Sequence, residues 1–154
     1  MNLKQMMVAV LLSGSAQVSL AAPSLNDMQS CQGVLQFVDA KLAEAPAKYP
    51  AEDVQKVRKG LKGYDQYIQR EIIDPGLLAF NGGDKAKSDD MQKQIDAYKA
   101  SIVKGLSARH PQKRLFMDQA VAVNNCAQKA VPSGQALEDL KVAVNLMVEL
   151  AKMN

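Results

Sequence analysis

Apolar side chains return every three or four residues along five stretches of this 154-residue chain, and the breaks between stretches are rich in proline, glycine and asparagine. That rhythm predicts helices, because positions three and four apart share one helical face. The first stretch covers 25–45. Ser24 is placed to cap it, Asp27 stands three residues on, and Met28, Cys31, Val34, Leu35, Val38 and Leu42 form its apolar face. Pro46 and Pro50 interrupt the chain, and Pro50 suits the first position of a second helix over 50–73.

In that second stretch Val54, Val57, Leu61, Tyr64 and Ile68 form a narrow seam. Gly60 and Gly63 weaken it by about 1 kcal/mol each relative to alanine, so they mark a close helix approach or a bend. Asp74-Pro75-Gly76 is expected to end the helix, and Asn81-Gly82-Gly83 makes another break. A third helix over 88–109, capped by Ser88, repeats the seam with Met91, Ile95, Tyr98, Ile102 and Leu106. The second and third helices are expected to pair as a hairpin. His110-Pro111 stops the third. A fourth covers 112–131 with Leu115, Phe116, Val123 and Cys126, and Pro132 ends it. Ser133 is placed to cap a fifth over 135–152, whose stripe is Leu137, Leu140, Val144, Met147 and Leu150 or Ala151. The predicted fold is all-α: a single-domain antiparallel helical bundle of about five helices over 22–154.

Before the bundle lies a three-part export signal over 1–21. Lys4 gives the positive end, and Met6 to Leu12 gives an apolar run too short to span a bilayer, which takes about 20 residues. Ser19-Leu20-Ala21 offers the small side chains that a signal peptidase reads. Cleavage is expected after Ala21, because a cut after Ala22 would put Pro23 beside the scissile bond. No cysteine follows to carry a lipid, and Ser13, Gly14, Ser15 and Gln17 disfavour a retained anchor. The mature chain is expected in the periplasm of a bacterium, or secreted, with no membrane insertion.

Export changes the meaning of the two cysteines. In an oxidising compartment Cys31 and Cys126 can bridge. With helices alternating up and down, Cys31 sits roughly 10 Å above the base of the first helix, and Cys126 roughly 8 Å above the same base in the fourth, at 1.5 Å per residue. The thiols therefore match in height, as a bridge requires. Closing such a loop stabilises a fold by about 4–5 kcal/mol in the chain-entropy account.

Composition adds exclusions more than functions. Formal net charge is +3, and losing Lys4 leaves +2, too little to argue for nucleic acid or an anionic surface. A single histidine, His110, rules out multi-histidine metal sites and sits where a solvated helix end is expected. A haem held by His110 and a methionine fails for Met28, at the opposite end. Met117 is conceivable but has no motif behind it, and no cofactor is expected. Asp89-Asp90 and Glu138-Asp139 read as helix starts. The stretch 74–84 lacks the ligand alternation of a calcium loop, and Gly60-Leu61-Lys62-Gly63 lacks a phosphate-loop ending.

Three surface features remain. Lys56, Lys59 and Lys62 share one side of the second helix. Arg109, His110, Lys113 and Arg114 cluster before the fourth. Leu77, Leu78 and Phe80 stand between two breakers, where they either plug the bundle end or present a contact. Leu77, Leu78, Phe80, Arg109, Lys113 and Arg114 are the candidate partner contacts. In size, compartment and helix content the chain resembles small periplasmic helical proteins with one long-range disulfide, among them acid-stress chaperones and immunity proteins, a likeness that transfers no site residues. The expected function is non-catalytic protein binding, of inhibitor, immunity or chaperone type. The alternatives are a small-molecule-binding bundle, or an all-α enzyme using Arg58, Arg70 or Arg109 on an anionic substrate.

Overall fold

The computed structural model describes residues 22–153, and the export signal expected over 1–21 lies outside them. The described chain is all-α. Its helices are α1 (Leu25–Ala43), α2 (Ala51–Ile68), α3 (Asp74–Phe80), α4 (Lys85–Arg109), α5 (Met117–Lys129) and α6 (Gly134–Lys152). A π-helical turn, Gln69–Ile73, fuses α2 to α3, so the six helices make five rods. No described helix is long and apolar enough to cross a membrane.

The fused rod corrects the expected break at Asp74-Pro75-Gly76. Pro75 has no N–H to donate and would clash with a carbonyl one α-turn back. Widening one turn absorbs this, and Asp74 N donates to Gln69 O, five residues back. Burial then continues down the rod through Tyr64, Ile68, Ile73 and Leu77, in steps of four, five and four. The step of five marks the inserted residue.

Helix α1 lies at the centre, touching α2, α4 and α5, while α2 packs most closely on α6. Side-chain pairs give the directions. Gln32 meets Gln69 and Asp39 meets Arg58, so α1 and α2 are antiparallel. Cys31 meets Cys126, while Lys41 meets the chain just before α5, so α1 and α5 are antiparallel too. Gly33 faces Ile102 and Phe37 faces His110, so α1 and α4 run parallel. The hairpin expected between the second and third helices is therefore not formed. Beyond the π turn, α3 crosses the start of α1, with Gly76 against Leu25, and the chain returns as α4 along α1. The close antiparallel partner of α4 is α3.

Cys31 and Cys126 form a disulfide with Cα atoms 5.7 Å apart, both residues buried. Beside it Tyr64, fully buried, directs its hydroxyl at Cys126 O and Ala130 O, at 2.7 and 2.8 Å, and burial holds its phenol above the ordinary pKa. Gly60 is a close-approach site: a β-carbon there would lie 2.5 Å from Asp139 O and 2.6 Å from Ala143 Cβ on α6. Gly63 faces no such neighbour.

Caps follow the sequence in part. Ser24 Oγ accepts Asp27 N at 3.0 Å, as expected. Asp84, not Ser88, caps α4 by accepting Lys87 N. Ser88, one turn in, bonds to Asp84 O and reaches Leu77 O instead. Helix α5 starts at Met117, five residues later than expected, and the carbonyls of His110, Gln112 and Arg114 before it accept from Lys41 instead of from helical N–H groups.

Candidate functional site

The connection between the breakers resolves into a short helix with two kinds of apolar residue. Leu77 is buried at 3 % exposure and seals the bundle end, so it offers a partner little surface of its own. Leu78 and Phe80 point outward, Phe80 at 72 % exposure, the highest of the large apolar side chains described. Asn81 ends α3 by donating its Nδ2 to Leu77 O at 2.9 Å, and Gly82 and Gly83 take positive φ (61° and 85°) to reverse the chain. With Ser88 Oγ also reaching Leu77 O, the tip is tied down by polar bonds. Phe80 is thus held in place in solvent.

Phe80 walls a groove of about 400 Å³ between the start of α1, the end of α3 and the first half of α4. Leu25, Leu77, Met91, Ile95 and Tyr98 supply its other apolar surface, and Asn26, Gln29 and Gln94 its polar atoms. No lining residue carries a formal charge. Tyr98 is 44 % exposed. The charged residues adjoining the lining in sequence are all paired: Asp27 with Lys129 at 3.5 Å, Asp90 with Lys93 at 2.8 Å, and Asp96 with Lys99 at 3.0 Å. The Lys93 hydrogen bond holds the Asp90 carboxyl below its usual range. The groove is apolar and electrically quiet.

The basic cluster is arranged differently. Arg109 Nε donates to Gly105 O at 3.4 Å, Lys113 pairs with Glu44 at 3.2 Å, and Arg114 lies over the Phe116 ring at 4.4 Å. The three cations do not converge on one space. What they surround is a residue the sequence reading passed over. Lys41, buried at the end of α1, donates its ammonium to His110 O and Arg114 O at 3.2 Å each and to Gln112 O. The Phe37 and Phe116 rings flank it at 5.5 and 5.8 Å. Burial lowers the Lys41 pKa, opposed by the charge of Asp118. This ammonium closes the α4–α5 connection onto α1. His110, half-buried against Phe37, is part of that lock.

A second unforeseen feature is a polar layer between α1, the α2 rod and α4. Gln32 Nε2 donates to Gln69 Oε1 at 3.0 Å, Gln69 Nε2 to Gln92 Oε1 at 2.9 Å, and Lys99 Nζ to Gln32 Oε1 at 3.4 Å. Lys99 also pairs with Asp96 at 3.0 Å. Asp65 borders the layer. Its Oδ1 is buried without a hydrogen-bond partner, and desolvation raises its pKa against the opposing effects of Gln36, Lys99 and Gln32. The sequence signal was there. Gln32 follows Met28 by four, Lys41 follows Val38 by three and Lys99 follows Ile95 by four, so each is a polar residue on a buried stripe.

The remaining candidates are dispersed. Arg58 pairs with Asp39 through two bonds, at 2.7 and 3.3 Å, in a cleft of about 460 Å³ between α1 and α2, and Arg70 and Arg109 are exposed, so none of the three points into the bundle interior. Lys56 pairs with Glu52 and Lys59 with Asp139, while Lys62 lines the α1–α2 cleft. Met28 is core and Met117 is exposed at the start of α5. Among the described residues there is no group of three or more histidine, cysteine, aspartate or glutamate side chains placed to hold a metal ion. No protein-family model, curated protein or solved structure matches the chain.

Proposed function

We propose that the mature chain is a non-catalytic protein-binding module working outside the cytoplasm, in the bacterial periplasm or secreted, as an inhibitor, an immunity protein or a chaperone. The observation that carries this reading is Phe80, a phenylalanine ring 72 % exposed on a polar-anchored helix end. Burying an exposed phenylalanine yields about 1.5–3 kcal/mol, so leaving one in solvent forgoes stability unless a partner covers it. The exposed Tyr98 extends the same surface. The buried disulfide supports an oxidising location.

The test is retention of partners on immobilised mature protein from an extract of the producing compartment, at neutral and acidic pH, compared with Phe80→Ser. The reading expects a defined polypeptide held by the wild type and lost with the variant. Identical retention on both would overturn it.

A further inference from the structure

We infer that the groove beside Phe80 binds an extended, uncharged, apolar segment of another polypeptide, a proposal that rests on the protein-binding reading and names the chemistry of the partner.

Charge comes first. About a quarter of this chain is ionisable (23 % Asp, Glu, Lys and Arg), yet the groove lining has none, and the carboxylates and ammoniums adjoining it in sequence are paired. A phosphate, a nucleic acid or a charged peptide would lose hydration there and gain no counter-charge. An uncharged segment has no ionic hydration to lose, only that of its backbone amides.

Hydrogen bonding decides between backbone conformations. Asn26, Gln29 and Gln94 each carry an amide with two N–H donors and a carbonyl acceptor. None of these side chains bonds to another described residue, whereas Gln32, Gln36, Gln69 and Gln92 are all committed within the fold. A helical partner satisfies its own backbone and would leave the three amides idle. An extended segment has N–H and C=O groups that need partners, and side chains that alternate between groove and solvent. Leu25, Met91 and Ile95 receive the inward ones, with the flexible thioether of Met91 adjusting to different shapes. Phe80 and Tyr98 add aromatic contact area. A second copy of this chain fits poorly, because its described residues form helices and no strand, and its extended stretch around Val131 is only a few residues long.

The chain has no tryptophan, so a peptide carrying one reports binding against a dark background. The probe is an acetylated, amidated nonapeptide of alternating serine and valine around one central tryptophan. Two matched peptides replace the two valines nearest the tryptophan, which face the groove, with lysine or with glutamate. Emission is followed as wild type, Phe80→Ser, Gln29→Leu and Lys62→Ser are titrated. The uncharged peptide should give a saturable blue shift with wild type and Lys62→Ser. Phe80→Ser should weaken it at least about tenfold, and Gln29→Leu about fivefold, because that change keeps apolar surface and removes only the amide. The charged peptides should bind at least about tenfold more weakly.

Equal binding of all three peptides, or no change with Phe80→Ser, overturns the proposal, as does the absence of a saturable shift up to about 1 mM, the weak end of useful affinity. Sedimentation showing a wild-type dimer that Phe80→Ser dissociates overturns it in favour of self-association. Phe80 is exposed, so unchanged urea midpoints will verify that each variant folds. If Phe80-dependent retention of a partner survives while the peptide fails, the protein-binding reading stands and the extended segment falls.

Discussion

Two glycines one turn apart in α2 should respond to the same substitution with opposite signs. At Gly63 a β-carbon meets nothing within 4 Å, so Gly63→Ala removes only the helix penalty of glycine and should stabilise by about 1 kcal/mol. At Gly60 the same gain is opposed by α6. The new methyl would sit 2.5 Å from Asp139 O and 2.6 Å from Ala143 Cβ, where ordinary contact begins near 3.4 Å. Neither obstacle is the free end of a flexible side chain, so the two helices must part by the best part of an ångström along their closest line. Overpacking of this kind costs about 1–3 kcal/mol, and opening this tightest of helix pairs belongs in the upper half of that range. The net for Gly60→Ala is a loss of about 1–2 kcal/mol, which places the variants about 2–3 kcal/mol apart. Urea titration followed by far-ultraviolet circular dichroism resolves this easily. With a slope near 2 kcal/mol per molar, the midpoints should differ by about 1–1.5 M, with wild type between them. Two variants shifted the same way by similar amounts would refute the close α2–α6 approach.

Other consequences follow from the polar interior. Lys41→Met strands the carbonyls of His110, Gln112 and Arg114 that the ammonium gathers, and should cost about 2–4 kcal/mol; a urea midpoint within 0.2 M of wild type (about 0.4 kcal/mol) would contradict the lock. Asp65 is an acid whose pKa is raised in the fold, so its charge opposes folding above that pKa and ceases to matter as pH falls below the unfolded value. Asp65→Asn should therefore stabilise by about 1 kcal/mol at pH 7 and by almost nothing at pH 3, and a gain that is equal at both pH values would refute the assignment. Reducing the Cys31–Cys126 bridge, which closes a 95-residue separation, should remove about 4–5 kcal/mol in the chain-entropy account; oxidised and reduced midpoints closer than about 0.5 M would count against it.

The seam of α2 was legible in the sequence because it is periodic, whereas of the stripe expected on α4 only Ile95 is buried and Tyr98 is exposed. Val57, Leu61, Tyr64 and Ile68 are all buried, as their spacing demands, and the height argument from Cys31 and Cys126 found a real bridge. The path after Ile68 was not legible. Proline and glycine at 75 and 76 carry a strong local signal to stop, about 3 and 1 kcal/mol against helix, and burial of Ile73 and Leu77 outweighs it once a π turn relieves the proline. Partner choice between helices was missed for a related reason. The seams of α2 and α4 look alike, and the close approaches at Gly33, against Ile102, and at Gly60, against Ala143, are where α4 meets α1 and α2 meets α6. The candidate site was half legible. Leu77, Leu78 and Phe80 drew attention as apolar residues between breakers, but the neutral groove beside them comes from α1 and α4, which sequence distance does not bring together.

The assignment of function to the Phe80 end can be tested most directly in the producing cell. A photocrosslinking phenylalanine analogue is placed at position 80, at 98, or at 62 in the α1–α2 cleft, and irradiated in the intact exported protein. The account predicts one discrete adduct with another polypeptide from positions 80 and 98 and none from 62. Adducts from 62 alone, or none from 80 and 98, would contradict it.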